Sequence, residues 1–267
     1  MDTVLKPHPD ICVLPSFVPI PGAGFLPVNA FVLLAKEPVL IDTGLAFESE
    51  QFIDAVREVI DPAAIRWIWL SHDDADHTGS LQRLLELAPN ARLVTNAMCA
   101  LRTSTVWPIP MERVYAINPG ESLDVGDRKL TAVMPPLFDN PLSTGFRDDK
   151  TGAFFSVDAF GAIVPQPVAS AEDIGESELK AGMTIWATSD SPWAHLVDQG
   201  KFGQVLERMR QINASLLLSS HLPPAGGASM DRFLEVLAAV PNAEPFRAPN
   251  QMELEQMMAQ MSSEAHQ

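Results

Sequence analysis

Most of the residues that could do chemistry lie in one short stretch after an apolar segment. Residues 71–79 read Ser-His-Asp-Asp-Ala-Asp-His-Thr-Gly and offer two imidazoles and three carboxylates at six consecutive positions. In α/β proteins, loops that follow strands are where binding groups collect. Because this much negative charge beside a buried strand is unfavourable without a cation, a bound metal ion is the simplest explanation. The alternative is a solvated acidic loop in which Asp76 caps the next helix.

Three later residues could join this stretch in space. Asp139, Asp158 and His221 each follow an apolar segment that the sequence predicts to be a strand. Ligands from separate strand ends can converge at one edge of a sheet. Taken singly, each has an ordinary explanation as a turn or loop residue. Their occurrence together with residues 71–79 favours a metal site.

The segments that must position these residues alternate between strands and helices. Apolar runs rich in β-branched residues predict strands, and apolar residues spaced three and four apart predict helices. Short strands with helices between and after them suggest two sheets packed face to face with helices outside. The predicted strands are 11–18, 30–34, 39–41, 66–70, 92–95, a hairpin over 123–134, 153–157 and 215–218; the predicted helices are 47–60, 78–87, 97–102, 185–212 with a break near 199–200, and 231–239.

Four motifs together resemble those of the metallo-β-lactamase fold superfamily. The resemblance covers most of residues 10–240 and implies an α/β fold, the αβ/βα four-layer sandwich, with a metal site at the open edge of the two sheets. It also implies that Asp42 is a structural residue that helps hold the loops around the site. The motifs are Val39-Leu40-Ile41-Asp42-Thr43-Gly44, His72-x-Asp74-x-Asp76-His77 followed by Thr78-Gly79, Phe155-Ser156-Val157-Asp158, and Ser220-His221.

Two positions depart from the pattern of the superfamily's common hydrolases. Those enzymes carry His-x-His-x-Asp-His, whereas the second of these histidines is Asp74 here. A carboxylate at that position, together with residues 158–161, resembles the flavodiiron proteins and related oxygen-binding di-iron proteins. The mid-chain histidine of the superfamily is matched by Asp139, so either Asp139 replaces that ligand or the first metal position has lost one.

The resemblance implies a ligand set for two metal ions. Four carboxylates would balance two divalent cations, and such an oxygen-rich set suits iron or manganese better than zinc. We therefore expect iron, with manganese and zinc as alternatives. His77 is an optional ligand, because it binds metal in many hydrolases but turns away in many flavodiiron proteins. The implied ligands are His72, Asp74 and Asp139 for the first ion, Asp76 and His221 with the optional His77 for the second, and Asp158 as the bridge.

Three functions remain open at this point. The first is a non-haem di-iron protein that binds or reduces dioxygen or nitric oxide. The chain shows no flavodoxin or other flavin-binding domain, so we expect a separate electron donor. The second is a metal-dependent hydrolase of an ester, lactone or thioester, for which His195 is a candidate substrate contact or else a surface histidine. The third is a non-catalytic remnant of an enzyme. Because the first two functions include catalysis, the sequence favours an enzyme.

Composition restricts the partners. With a formal net charge of -16, the chain is a poor candidate for binding nucleic acid or an anionic membrane. No signal peptide or membrane span is evident, and two cysteines, Cys12 and Cys99, are too few for a disulfide framework. We therefore expect a cytoplasmic protein that takes a gas or another small molecule.

Two segments differ in composition. Residues 1–242 are predicted to form the metallo-β-lactamase-like domain, and residues 243–267 a Met-rich helical tail. This helix could dock on its own domain, contact a second copy in a homodimer, or fray. The apolar positions that could line one face are Met252, Leu254, Met257, Met258 and Met261.

Overall fold

Two β-sheets form the inner layers of the fold. The computed structural model describes residues 1–264, with side chains through residue 259. The first sheet contains, in spatial order, β1 (Leu5–His8), β2 (Ile11–Ile20), β3 (Gly24–Leu33), β4 (Val39–Ile41), β5 (Trp67–Trp69), β6 (Arg92–Thr95) and β7 (Val114–Ala116). The second contains β8 (Ser122–Asp124), β9 (Lys129–Val133), β10 (Gly145–Asp148), β11 (Ala153–Phe155), β12 (Leu216–Ser219) and β13 (Leu222–Gly226) in a continuous row.

Strand direction changes within both sheets. Strands β1 to β4 pair antiparallel, whereas β4 to β7 pair parallel. In the second sheet only β11 and β12 are parallel. The carboxyl ends of neighbouring parallel strands meet at one edge of a sheet, so β4 and β5, and likewise β11 and β12, deliver their following loops to common edges.

Helices cover the outer faces of the sheets. In α1 the buried residues Phe52, Ile53 and Val56 keep the spacing of one apolar face. The helices are α1 (Ser49–Val59), α2 (Ala75–Thr78), α3 (Leu81–Leu87), α4 (Ala97–Thr103), α5 (Glu176–Asp190), α6 (Gln199–Gln211), α7 (Met230–Ala239) and α8 (Gln251–Glu264). Short 3-10 turns lie at Ala46–Glu48, Pro62–Ala64, Met111–Arg113, Ala171–Asp173, Pro192–Leu196, Gly227–Ser229 and Val240–Asn242.

Three hydrophobic clusters separate the four layers. Neighbouring residues of a strand point to opposite faces of its sheet. Thus Ile68 packs in the outer cluster with α1, whereas Trp69 packs in the cluster between the sheets. In the same way Phe154 joins the outer cluster of α5 to α7, and Phe155 points inward. This helix–sheet–sheet–helix order is the αβ/βα sandwich expected from the sequence, and that prediction is confirmed.

Some elements differ from the sequence prediction. The helical segment predicted over 185–212 begins earlier, at Glu176, and its predicted break near 199–200 lies instead at residues 191–198, because Pro192 ends α5 and Asp198 caps α6 by accepting the Lys201 N–H at 2.9 Å. The second strand of the predicted hairpin ends at Val133, so Asp139 lies inside a loop and not at a strand end. That placement corrects the strand that was expected to lead up to it.

The C-terminal helix is largely exposed. Met252 and Met258 are exposed, and Met257 is half-buried. The side chain of Met261 lies outside the described residues. The division of the chain into a domain of residues 1–242 and a tail of residues 243–267 stays a prediction. No helix within residues 1–264 combines the length and the apolar character needed to cross a membrane.

Candidate metal centre

The loops after four strands meet at one edge of the sandwich. Asp42 follows β4, residues 71–77 follow β5, Asp158 follows β11, and His221 lies between β12 and β13. The chain turns sharply there, and Asp42 and Val157 both adopt φ of 56°. Such left-handed conformations are uncommon outside glycine and persist only where the surrounding structure enforces them.

Gly79 allows the loop after β5 to lie directly against the loop after β4. A Cβ at this position would come within 2.3 Å of the Gly44 carbonyl oxygen and the Ala46 nitrogen. The Gly79 N–H donates to the Gly44 carbonyl at 2.8 Å. This contact explains the glycine at position 79, since any side chain there would push the two loops apart.

Asp42 holds two of the neighbouring side chains in place. It is 1% exposed and accepts hydrogen bonds from the Ser71 backbone N–H at 2.8 Å and the Ser71 hydroxyl at 2.9 Å. Its Oδ2 also lies 2.8 Å from His77 Nδ1. With Nδ1 held in this way, His77 directs Nε2 into the cluster, because a carboxylate bound to one ring nitrogen fixes the orientation of a metal-binding histidine.

One group of possible ligands comprises Asp76, His77 and His221, whose donor atoms all lie within 4.8 Å of one another. His221 Nδ1 lies 2.8 Å from the Pro27 carbonyl oxygen, which leaves Nε2 at 3.4 Å from Asp76 Oδ2. Burial lowers the pKa of both imidazoles, but Asp76, Asp158 and, for His77, Asp42 outweigh it and raise the pKa of His77 and His221.

A second group comprises His72, Asp74 and Asp139. His72 Nε2 lies 3.7 Å from Asp74 Oδ2, and the amide of Asn140 donates to Asp74 Oδ1 at 2.9 Å. Asp139 reaches the surface, yet desolvation by its surroundings, followed by its hydrogen bond with Asp74, raises the pKa of Asp139 to about 8. Two carboxyl groups this close cannot both ionise easily unless a cation joins them.

Asp158 lies between the two groups. It is 2% exposed, with Oδ2 at 3.4 Å from His72 Nε2 and Oδ1 at 3.2 Å from His77 Nε2 and 3.1 Å from His221 Nε2. These contacts lack hydrogen-bond geometry, and neither oxygen has a hydrogen-bond partner. Burial raises the pKa of Asp158, but the three histidines outweigh it and hold that pKa well below its usual range.

The donor set fits two metal ions. A buried, ionised carboxylate without hydrogen bonds is unfavourable unless a cation takes their place. Asp158 presents one oxygen to each group, which is the arrangement that a bridging carboxylate requires. The other donors are imidazole nitrogens and carboxylate oxygens, which suit iron, manganese and zinc. The residues present therefore fit a dinuclear centre.

Other residues were missed or are placed elsewhere. Asp190, at the end of α5, groups with Asp139 and Asp158, although no motif marks it in the sequence. His195 belongs to none of the metal-capable groups among the described residues, and its buried Nε2 lacks a hydrogen-bond partner. Asp73 turns away from the centre and pairs with Arg102 Nε at 3.0 Å.

Two relatives with related names match in sequence. A flavo-diiron protein of Clostridium acetobutylicum is 28% identical over 142 residues, which are 52% of this chain and 35% of that protein. An anaerobic nitric oxide reductase flavorubredoxin of Enterobacter sp. (strain 638) is 28% identical over 173 residues, which are 63% of this chain and 36% of that protein. The match thus spans about a third of the length of each relative.

The structure and a family model agree with these matches. Rubredoxin oxygen:oxidoreductase from Desulfovibrio gigas superposes with a TM-score of 0.81 at 17% identity, over 91% of this chain and 63% of that one, which shows a shared fold. A family model described as ODP family beta lactamase matches residues 26–221, a range that includes all the candidate ligands. The chain therefore belongs to the ODP family of beta lactamases, and it has the metallo-β-lactamase fold.

Proposed function

We propose that this chain holds a dinuclear iron centre at the loop edge of its sheets and binds or reduces dioxygen or nitric oxide there. The observation that carries the proposal is Asp158, whose two buried and unpartnered oxygens face two separate groups of donors. An arginine or lysine could neutralise one such carboxylate, but none of the described residues supplies one to Asp158. Two metal ions would neutralise it on both sides.

The proposed ligand set divides into two positions. His72, Asp74 and Asp139 hold the first ion, and Asp76, His77 and His221 hold the second, with Asp158 as the bridge. The abundance of carboxylates supports iron over zinc, whose protein sites favour nitrogen and sulfur. The names of the matched relatives, a flavo-diiron protein and a nitric oxide reductase, support the same choice.

Iron in this site would supply one-electron redox chemistry and an open position for a small ligand. The protein's own residues orient the donors. Asp42 fixes the ring of His77, Asn140 fixes Asp74, and the Pro27 carbonyl fixes His221. The Trp186 ring lies 4.4 Å from the ring of His221 and covers that side of the site.

Two partners are part of the proposal. Reduction of dioxygen or nitric oxide requires electrons, and we assign them to a separate donor, which the name flavorubredoxin of one relative supports. A second copy of this chain is the other partner, supported by the exposed Met252 and Leu254 on α8. Sedimentation equilibrium of the purified protein distinguishes a homodimer from a monomer.

The proposed function is tested with iron-loaded protein. Metal-free protein is reconstituted anaerobically with ferrous iron, desalted, and exposed to nitric oxide or oxygen while its absorption and EPR spectra are recorded. We expect a spectral change with either gas that is lost in Asp158→Asn and kept in Asp173→Asn, a change of an exposed carboxylate outside the cluster. Iron-loaded protein that responds to neither gas would refute the proposal.

A metal-dependent hydrolase is the second candidate, and the orientation of His77 favours it. His77 Nε2 points into the centre at 3.5 Å from Asp76 Oδ2, as expected for the superfamily's hydrolases. The test compares zinc-loaded and iron-loaded protein on p-nitrophenyl esters and a thioester. Turnover by the zinc form that disappears in Asp158→Asn would replace the di-iron proposal, which predicts no turnover above that of the free metal.

A further inference from the structure

The last residue of α5 carries a carboxylate that faces the metal centre. A carboxylate oxygen of Asp190 lies within 4.8 Å of donor oxygens of both Asp139 and Asp158. Its one hydrogen-bond donor among the described residues is the adjacent Ser191 hydroxyl, at 2.9 Å from Oδ2. Among the described residues, no lysine or arginine forms an ion pair with Asp190. Asp190 therefore retains oxygen lone pairs that nothing else in the described structure uses.

The packing of α5 fixes where Asp190 lies. Trp186, one helical turn earlier on the same face, donates from Nε1 to the Asp158 carbonyl at 3.0 Å. A Cβ on Gly161 would come within 2.4 Å of that Nε1, and a Cβ on Gly182 within 2.1 Å of the Ile163 carbonyl oxygen. The two glycines let α5 lie directly against the turn that holds Asp158, and this contact places Asp190 beside the metal centre.

The unpartnered bridge supplies the second observation. Asp158 is 2% exposed, has no hydrogen-bond partner on either oxygen, and belongs to the same group as Asp139 and Asp190. Three carboxylates this close repel one another unless a cation lies among them. A bound cation would relieve this repulsion and supply the partner that Asp158 lacks.

Including Asp190 makes the two metal positions unequal. The second position has two imidazoles, His77 and His221, beside its carboxylates. The first has one imidazole, His72, and takes oxygen from the remaining aspartates. The metal-capable groups contain five aspartates in all, one negative charge more than two divalent cations neutralise. Oxygen-rich sets favour Mn²⁺ and Fe³⁺, whereas nitrogen-rich sets suit Zn²⁺.

We propose that Asp190 is an additional carboxylate ligand of the first metal position and makes that position selective for hard ions such as Mn²⁺ and Fe³⁺. This inference rests on the dinuclear centre proposed above. The ligands it assigns to the first ion are His72, Asp74, Asp139, Asp158 and Asp190. The second ion keeps the imidazole-rich set and would accept zinc.

The test is a metal titration that does not depend on activity. Metal-free protein is titrated with Mn²⁺ while the EPR signal of free Mn²⁺ counts the ions bound, and separately with Zn²⁺ against a chromophoric chelator. The variants are Asp190→Asn, Asp190→Glu and the matched control Asp173→Asn. Circular dichroism of each metal-free variant checks that it folds.

The inference predicts a split between the two metals. Asp190→Asn should weaken one Mn²⁺ site by at least about 10- to 100-fold, the range already seen for residues that only orient metal ligands. It should leave the tighter Zn²⁺ site unchanged, and Asp190→Glu should restore part of the Mn²⁺ affinity. Two Mn²⁺ sites of unchanged affinity in Asp190→Asn would overturn the role of Asp190 while the dinuclear centre stands. Wild-type protein that binds no metal would overturn both.

Discussion

Two clusters of buried charge in this molecule are neutralised in different ways. At the far end of the second sheet, the side chain of Arg128 is 1% exposed and lies 2.8 Å from carboxylate oxygens of Asp10 and Asp127 and 3.3 Å from Asp148. At the loop edge, Asp158 is equally buried, but no lysine or arginine of the described residues reaches it. Only imidazoles face it there.

This difference separates a structural cluster from a binding site. The carboxylates around Arg128 receive charge and hydrogen bonds from the protein itself, so that region is complete. Asp158 is buried without hydrogen bonds, and Asp139 beside it has its pKa raised to about 8, first by desolvation and then by Asp74. A cluster left in this state is destabilised by repulsion among its carboxylates, and a cation from outside the chain would relieve that repulsion.

Replacing Arg128, the cation that the protein itself supplies, should give the largest change in the free energy of unfolding. Arg128→Ala leaves the buried Asp148 with hydrogen bonds from the Thr151 hydroxyl and the Lys150 N–H but without a cation, and breaking a buried ion pair usually destabilises a protein by about 3–5 kcal/mol. We expect a loss of that size in the free energy of unfolding, measured by urea denaturation of metal-free protein. Arg57→Ala, which breaks an exposed pair, is the control and should change little. An Arg128→Ala protein as stable as the control would contradict the comparison.

Removing the proposed metal ions should destabilise the protein through the loops around Asp158. A ligand that binds only the folded state at 100 times its Kd stabilises it by about 2.7 kcal/mol. We expect metal-loaded protein to lose about that much when a chelator is added, as measured by urea denaturation. Asp158→Asn should show no dependence on metal. If chelation destabilises wild type and Asp158→Asn equally, the cation acts elsewhere.

The pH dependence of the Arg128 cluster should be smaller. Hydrogen bonds from Arg128 are the main cause of the lowered pKa of Asp10 and Asp127. Because the folded pKa lies below the unfolded value of about 3.9, this stabilisation is complete above about pH 4 and is lost as the pH falls through the folded pKa.

Urea denaturation from pH 7 to 3, with metal removed, tests this sign. The destabilisation caused by Arg128→Ala should stay constant down to about pH 4 and then shrink, by no more than about 1 kcal/mol for each carboxyl because both are partly exposed. A difference between the two proteins that grows as the pH falls would show that these carboxyls do not depend on Arg128.

Lys150 should give the smallest effect of the series. Its Nζ lies 2.7 Å from Asp127 Oδ2, but the side chain is half exposed and Arg128 already pairs with the same carboxylate. Exposed ion pairs contribute little because solvent screens them. Lys150→Ala should therefore leave the urea midpoint nearly unchanged. A loss of stability comparable to that of Arg128→Ala would mean that the cluster depends on the exposed Lys150 as much as on the buried Arg128.

The sequence predicts those residues of the candidate metal centre that belong to short local motifs. The stretch from 71 to 79 and the Asp after β11 each combine a strand with the turn that ends it, so a short window contains both the position and the donor type. The fold followed from the same motifs. Asp190 could not be predicted, because it faces the centre only through the packing of α5 against the turn at Gly161.

Other differences also have physical reasons. Strand β13 was not predicted, because Pro223 and Pro224 disfavour a strand. The two prolines are tolerated there because β13 lies at the edge of its sheet. The Arg128 cluster gave no signal, since Asp10 is distant from Arg128 in the chain and meets it only in the folded protein.

Metal content measures the central claim most directly. Wild type, Asp158→Asn and Asp173→Asn are purified identically without oxygen, reconstituted with ferrous iron, desalted and examined by elemental analysis. We predict two iron ions per chain in wild type and Asp173→Asn, and a loss of most of the iron from Asp158→Asn. Wild type without iron, or Asp158→Asn with the same iron content as wild type, would contradict a dinuclear centre bridged by Asp158.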